Sequence, residues 1–242
     1  MTAEVFKLSI VIPAYNEAHR LPATAGRMLT FLAATPRWLP AELIVVDDGS
    51  RDETASCLGK LVVPAGVELA VVRLPHNMGK GAGVRAGMAA ARGACVLISD
   101  ADLATPIEEL ATLEQANADV AIGSRAVDRS LIARRQPLPR DIMGRCFNLI
   151  IRGLGLTVFG DTQCGFKLVE GELARRLAPL MRIDGFAFDV ELLARAKRLG
   201  ARLAEVPVHW YHVDESRVRP LRHSAQMLRD VLRLRWWLLV GR

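Results

Sequence analysis

Ala94-Cys-Val-Leu-Ile-Ser-Asp-Ala-Asp-Leu-Ala-Thr105 is an apolar run that ends in two carboxylates one residue apart. Ala94 to Ser99 is short and near-continuously apolar, and reads as a buried strand. Asp100 and Asp102 follow at its carboxyl end. Charge there is costly without a partner. A divalent cation shared with a diphosphate supplies one, because hard cations take oxygen ligands and share them with phosphates. An Asp-x-Asp alone is a weak signal, since a solvated turn carries the same residues; the strands before it decide the reading.

Two earlier runs end the same way. Lys7 to Pro13 reads as a first strand, ended by proline, and leads into Ala14-Tyr15-Asn16-Glu17, where Asn16 is placed to cap a helix from Glu17. Ala41 to Val46 reads as a second strand ending at Asp47-Asp48-Gly49-Ser50, with a short helix from Asp52. Val67 to Leu74 and Val120 to Gly123 are further strands, and Pro106 suits the first turn of the helix between the Asp-x-Asp and the last of them. Strands alternating with helices predict an α/β fold whose mostly parallel sheet is covered on both faces. Ligands bind such sheets beyond the strand carboxyl ends. Three polar strand ends at one edge point to a nucleotide diphosphate site: carboxylates accept from a base N–H and ribose hydroxyls, and a metal bridges the phosphates to Asp102.

Past Arg125 the alternation lapses. Ala126 to Pro139 is polar and basic and reads as a mobile loop. Arg140 to Leu156 reads as a helix, Asp161 to Val169 as a strand or an irregular segment, and Phe188 to Gly200 as a helix closed by glycine. Arg202 to Trp210 is a late strand, and a last helix starts at Pro220.

The chain has 242 residues, 51% of them hydrophobic, which suits one large domain (1–219) with a C-terminal appendage (220–242), so disorder is not the default. Its four cysteines form no Cys-x-x-Cys, so reduced thiols in a cytosolic setting are expected. Met1-Thr2-Ala3-Glu4 does not open a signal peptide, and no run reaches the ~18 apolar residues of a membrane span. His76, His209, His212 and His223 share no ligand spacing. Asn77 to Gly83 is glycine-rich without Walker spacing; Gly79 to Ala91 reads as a helix packed close to the sheet, with Lys80 near the nucleotide. The net charge of +6 is concentrated from Arg217 onward, where seven arginines meet one acid, Asp230. Such a segment seeks an anionic surface. Without interleaved stacking aromatics, nucleic acid is the weakest candidate for it.

These motifs together resemble the family 2 glycosyltransferases, and the resemblance covers nearly the whole chain. It rests on Val11-Ile-Pro-Ala-Tyr-Asn-Glu17, Val46-Asp-Asp-Gly-Ser50, Asn77-Met-Gly-Lys-Gly81, Asp100-Ala-Asp-Leu-Ala-Thr105, Gly123-Ser-Arg125, Asp161-Thr-Gln-Cys-Gly-Phe-Lys167 and Phe186-Ala-Phe-Asp-Val-Glu-Leu192. The last two point to the lipid-phosphate glucosyl branch. The resemblance implies a GT-A fold, a UDP-sugar donor with Mg2+ or Mn2+, and a polyprenyl or dolichyl phosphate acceptor. It implies that Pro13, Tyr15, Glu17, Asp47 and Asp48 line the nucleoside pocket, and that Asp100 and Asp102 face the diphosphate and metal. Ala104 stands where mannosyl-phosphate relatives carry a metal-holding glutamine, which favours glucose. Glu215-Ser216-Arg217 departs from the Gly-Ser-Lys of glucosyl relatives, although Arg217 keeps the charge.

Arg125, Arg134, Arg135, Arg140 and Arg145 cluster after the sheet. A solvated face has the same composition, but an acceptor phosphate and a leaving diphosphate both need cations, and arginine binds them bidentately. Arg125 and Arg140 are the first choices, with Arg145, Gln163, Asp189 and Arg217 as acceptor-side candidates. Asp189 and Glu191 lie on different faces of one helix, and Asp161 is a turn or acceptor-site residue. A lipid phosphate is already anionic, so no general base is expected, and in-line attack would invert the anomeric carbon. In the tail, Leu221, Ala225, Leu228, Leu232, Trp236 and Leu239 form one stripe, opposite arginines. This suits a membrane surface, on the cytoplasmic face, or equally a helix docked on the domain. Alternatives are another sugar such as GDP-mannose, a soluble phosphorylated acceptor, a nucleotidyltransferase, or a non-catalytic nucleotide-sugar-binding module.

Overall fold

The computed structural model describes residues 6–134, 138–212 and 220–241. Along them run β1 (Leu8–Ala14), α1 (Leu21–Ala34), β2 (Ala41–Asp47), β3 (Val67–Arg73), α2 (Lys80–Ala90), β4 (Cys95–Ile98), α3 (Leu110–Gln115), β5 (Val120–Ser124), β6 (Ile132–Arg134), α4 (Leu138–Gly153), β7 (Lys167–Glu170), α5 (Gly171–Leu177), α6 (Phe188–Arg198), β8 (Leu203–Pro207), β9 (Trp210–Tyr211) and α7 (Pro220–Leu239). Seven strands make one sheet in the order β3-β2-β1-β4-β7-β5-β8. All run parallel except β7, which is antiparallel between β4 and β5.

The central strands are apolar on both faces because both faces are covered. Leu8, Ile10 and Ile12 of β1 pack with Leu21, Ala25 and Met28 of α1. Val11 points the other way, into the cluster that holds Val84 and Met88 of α2. The helix comes close here: a Cβ on Gly87 would lie 2.2 Å from Val11 Cγ1. The mostly parallel α/β sheet read from the sequence is therefore present, with its β1, β2 and β4 carboxyl ends along one edge.

Several local expectations are corrected. Asn16 caps no helix; it takes a left-handed φ of 53° and α1 starts only at Leu21. The segment after Asp52 forms a 3-10 turn at Ser56–Lys60. The expected loop at 126–139 contains a 3-10 turn, Arg129–Leu131, and β6, which pairs with β9 in a second small sheet. That pairing splits the late strand into β8 and β9. Helix α4 begins at Leu138, so Pro139 falls in a first turn whose N–H groups have no helical acceptor in any case.

Helix α7 touches α4 and α6. It docks through Met227, Val231 and Leu234, which are buried in the same cluster as α6. The stripe picked out in the sequence is a different one: Leu228, Leu232, Trp236 and Leu239 all stay exposed. Leu234→Ala should cost about 2–4 kcal/mol of stability by opening a core cavity. Leu232→Ala on the exposed stripe should change it by less than about 0.5 kcal/mol. Urea denaturation of the two variants measures the difference, and equal costs would mean that α7 docks by another face.

Candidate active site

Each strand end is held by the next. After β1, the Asn16 N–H donates to Ser50 Oγ (2.8 Å), the Glu17 N–H donates to Thr54 Oγ1 (2.7 Å), and Asn16 Oδ1 accepts from Arg51 N (2.8 Å). Tyr15 and Pro13 are half-buried beside this clasp. Glu17 is nearly buried and paired to Arg20, whose Nη2 donates to Oε1 at 2.8 Å. After β2, Asp47 is fully buried and accepts from Ser50 N at 2.8 Å. Its Oδ2 lies 3.3 Å from Arg73 Nε, an ion pair too poorly aimed to be a hydrogen bond. Asp48 accepts from the backbone N–H groups of Met78 (2.7 Å) and Gly79 (2.9 Å). Burial raises its carboxyl pKa above the ordinary value, against those two hydrogen bonds. Gly49, at φ +66°, is required between them, because a Cβ there would strike the His76 backbone at 2.4 Å.

Asp48 thereby sets the start of α2, and α2 delivers Lys80. Lys80 Nζ stands 2.6 Å from Asp100 Oδ1 at the end of β4. Desolvation opposes the charge on Lys80, but Asp100, Asp189 and Asp102 outweigh it and push its pKa up to about 12. Asp102 accepts from Ala104 N at 3.0 Å, and its pKa is raised, first by burial and then by Asp100. Between the two, Leu103 takes a left-handed φ of 48°, backbone strain of the kind found at ligand sites. The loop is tied down where Tyr211 N donates to Ala104 O at 2.8 Å.

The Asp161–Lys167 segment folds over this pair from the other side. Gly165 lies against Asp100 so closely that a Cβ would meet Oδ2 at 2.0 Å. Asp161 holds Arg125 bidentately, from Nε at 2.6 Å and Nη2 at 2.8 Å. Burial opposes the charge on Asp161, but Arg125 outweighs it and keeps the carboxyl below its ordinary pKa. The Arg125 guanidinium stands 5.3 Å over the Trp210 ring. Trp210, Asp100, Ala104, Thr105 and Gly165 surround one small pocket.

The structure brings together Pro13, Tyr15, Glu17, Asp47, Asp48, Lys80, Asp100 and Asp102 around one edge, with Arg125 beside it. Asp189 is placed differently from the expectation: it is buried and meets Lys167 Nζ at 2.5 Å, behind the site rather than open to an acceptor. Gln163 is half-buried, with Nε2 3.9 Å from Met227 Sδ of α7. Arg145 is exposed on α4. The side chain of Arg140, on the same helix, and all of Arg217 lie outside the described residues. Glu191 is a staple, accepting from Arg182 N, Ile183 N and Arg195 Nε at 2.7–2.8 Å.

Three contributors escaped the sequence reading. Lys167 is fully buried, which demanded a carboxylate partner and found it in Asp189. Glu205 accepts from Ser124 Oγ (2.7 Å), Asp161 N (2.8 Å) and Gly160 N (3.0 Å), fixing the loop that carries Asp161. Gly165 stood inside a quoted motif, but only the fold reveals what it makes room for. Among the described residues no three His, Cys, Asp or Glu side chains gather as a metal cluster. Asp100 and Asp102 do stand together, close enough that the charge of Asp100 helps to raise the Asp102 pKa. That donor set fits Mg2+ or Mn2+, which bind through one or two carboxylates and complete their shells with phosphate and water.

The profile of Glycosyl transferase family 2 matches residues 9–176. Dolichyl-phosphate beta-glucosyltransferase of Dictyostelium discoideum is 36% identical over 247 residues, spanning 97% of this chain and 75% of that protein. The protein of that name from Homo sapiens is 35% identical over 249 residues, spanning 97% and 76%. Among solved structures, Mycobacterium tuberculosis glucosyl-3-phosphoglycerate synthase in complex with Mn2+, UDP and phosphoglyceric acid aligns with a TM-score of 0.64. The alignment is at 22% identity over 94% of this chain and 76% of that one, a likeness of fold alone.

The Gly165 contact is directly testable. Gly165→Ala must push the Asp100 carboxylate off its place. If the acidic pair takes a metal-bound diphosphate, the change should weaken UDP binding in the presence of Mn2+ by about tenfold, the loss of roughly one charge-assisted contact, with little change in melting temperature. Calorimetric titration with UDP reads the first quantity and a thermal melt the second.

Proposed function

This chain belongs to glycosyl transferase family 2, and we propose on that footing that it transfers glucose from UDP-glucose to a polyprenyl or dolichyl phosphate, with inversion at the anomeric carbon. The observation that carries the proposal is the acidic pair Asp100/Asp102 met by Lys80 at the carboxyl edge of a parallel sheet. The names of the relatives support the lipid-phosphate acceptor and the glucosyl group.

In this reading the clasp of Pro13, Tyr15 and Glu17 with Asp47 and Asp48 forms the wall for the nucleoside. Asp100 and Asp102 hold the divalent cation, which when bound supplies positive charge to the departing diphosphate. Arg125 adds fixed positive charge beside the same group, where negative charge develops, and Lys80 adds a second cation. The acceptor is a phosphate that is anionic near neutral pH, so the chain has to position and shield it rather than take a proton from it. The buried Asp189 suits this account, since it is already paired with Lys167. Arg145, with Arg140 and Arg217, is the acceptor-side candidate.

A lipid acceptor must be met at a membrane. No helix among the described residues is long and apolar enough to cross one. Two helices in contact, α4 and α7, instead expose apolar stripes: Ile142, Leu149 and Ile150 on the first, Leu228, Leu232 and Leu239 on the second. Arg145, Arg152, Arg229, Arg233 and Arg235 are exposed on the same helices. Apolar stripes flanked by arginine suit an anionic lipid surface, and we assign them to peripheral attachment at the cytoplasmic face, with residues 220–242 and the α4 face of the 1–219 catalytic unit making the attachment together.

Incubation with labelled UDP-glucose, Mn2+ or Mg2+ and a short polyprenyl phosphate should label the lipid phosphate and release UDP. A chelator should abolish the reaction, and Asp102→Asn should lower turnover by about 100-fold or more with the fold intact. Turnover of a soluble phosphorylated acceptor but not of the lipid would replace the acceptor in this reading. Pyrophosphate release would replace the reaction class. Leu149→Glu combined with Leu232→Glu, both at well-exposed positions, should release the protein from anionic liposomes in a flotation assay without lowering its melting temperature; unchanged flotation would remove the stripes from the account.

A further inference from the structure

Behind the acidic pair, charges of opposite sign alternate. Lys80 Nζ lies 2.6 Å from Asp100 Oδ1. Asp189, in the first turn of α6, adds to the negative field on Lys80 and itself meets Lys167 Nζ at 2.5 Å. The two ammonium groups share the Phe188 ring, at 5.7 Å and 6.0 Å from its centroid. Asp100, Asp102 and Asp189 thus share one array with the two ammonium groups, buried at Lys167 and Asp189 and partly open at Lys80 and Asp100. In it Asp100, one of the residues that would hold a divalent cation, is already paired with a cation of the chain itself.

We propose that Lys80 is a built-in counter-ion that guards Asp100, so that the site takes up a divalent cation together with the donor diphosphate rather than before it. This rests on the reading that the acidic pair receives a metal–diphosphate. A free divalent cation approaching the empty site meets one carboxylate already neutralised at 2.6 Å. It also meets the field of Lys80 at short range, where like charges repel strongly even at a protein-like dielectric. Arg20 adds a second positive field at Asp102. A diphosphate reverses the balance. It brings negative charge for the metal, and its oxygens give the Lys80 ammonium somewhere else to go. The backbone under Lys80 is pinned, because Asp48 holds Met78 N and Gly79 N, so only the tip of the side chain has to move.

Binding of Mn2+, followed by the paramagnetic resonance signal of the free ion, tests this on the intact chain without turnover. The wild type should bind Mn2+ at least about tenfold more tightly with saturating UDP than without it, a shift of the size expected for one added charge contact. Lys80→Met should bind Mn2+ alone at least about tenfold more tightly than the wild type, and should lose most of the dependence on UDP. Lys80→Gln, which keeps a donor for Asp100, serves if the methionine variant does not fold, and the same gain is expected. Donor-free Mn2+ binding that is unchanged or weaker in the neutral variants, while the wild type still loads Mn2+ with UDP, overturns the guard and leaves the proposed function standing. No Mn2+ binding by the wild type even with UDP overturns the metal–diphosphate reading and this inference with it.

Discussion

A lysine ammonium held 2.6 Å from an aspartate at the end of β4 is the contact on which the ligand edge is organised. Both side chains are partly withdrawn from water, at 24% and 31% exposure, and an opposite charge close by offsets the lost hydration. Meeting that demand fixes the neighbourhood. Lys80 must come from the first residue of α2, so the loop before it is hung on Asp48 through two backbone N–H groups. Gly49 must be glycine to let that loop pass. Asp100 must reach inward, so the segment that crosses it has glycine at 165. Lys167 and Asp189 then extend the alternation of charge into the core.

Arg125 obeys the same rule on the other flank. It is bound before any phosphate arrives, with two donors on Asp161 and its flat face toward Trp210. Glu205 fixes Asp161 in turn through the backbone at 160 and 161. An arginine so restrained contributes a charge whose place does not depend on substrate, which lowers the reorganisation needed when a leaving group gains charge. A loose arginine on the surface would have to lose side-chain freedom at that moment. A phosphate contact by Arg125 would therefore start from a guanidinium already paired with Asp161.

Sequence alone reveals most of the sheet because central parallel strands announce themselves: Ile10 to Ile12, Leu43 to Val46 and Val96 to Ile98 are apolar without interruption. It reveals the acidic ends because carboxylates directly after such runs have few uses. It misleads where side chains compete with backbone. Asn16 has the chemistry of a helix cap, yet its oxygen is taken by Arg51 N across the cleft. It is silent where meaning depends on a partner far along the chain. Lys167 and Asp189, 22 positions apart, are each ambiguous until β7 is seen running antiparallel beside β4 and bringing the lysine inside.

Helix α7 shows why periodicity is an incomplete guide to what a helix touches. Leu228, Leu232 and Leu239 repeat at steps of four and seven, and so do Met227, Val231 and Leu234 at steps of four and three. Either set satisfies the rule for an amphipathic face. Only the second is buried, and it closes the core against α6. The first is therefore left over, and a leftover apolar stripe on a well-docked helix needs a cause of its own, since large exposed apolar patches on folded chains mark interaction sites. The helix cannot be detached without opening the core, so any surface it meets must come to the catalytic body and not to a free tail. The exposed stripe is thus carried by the same folded body as the acidic pair.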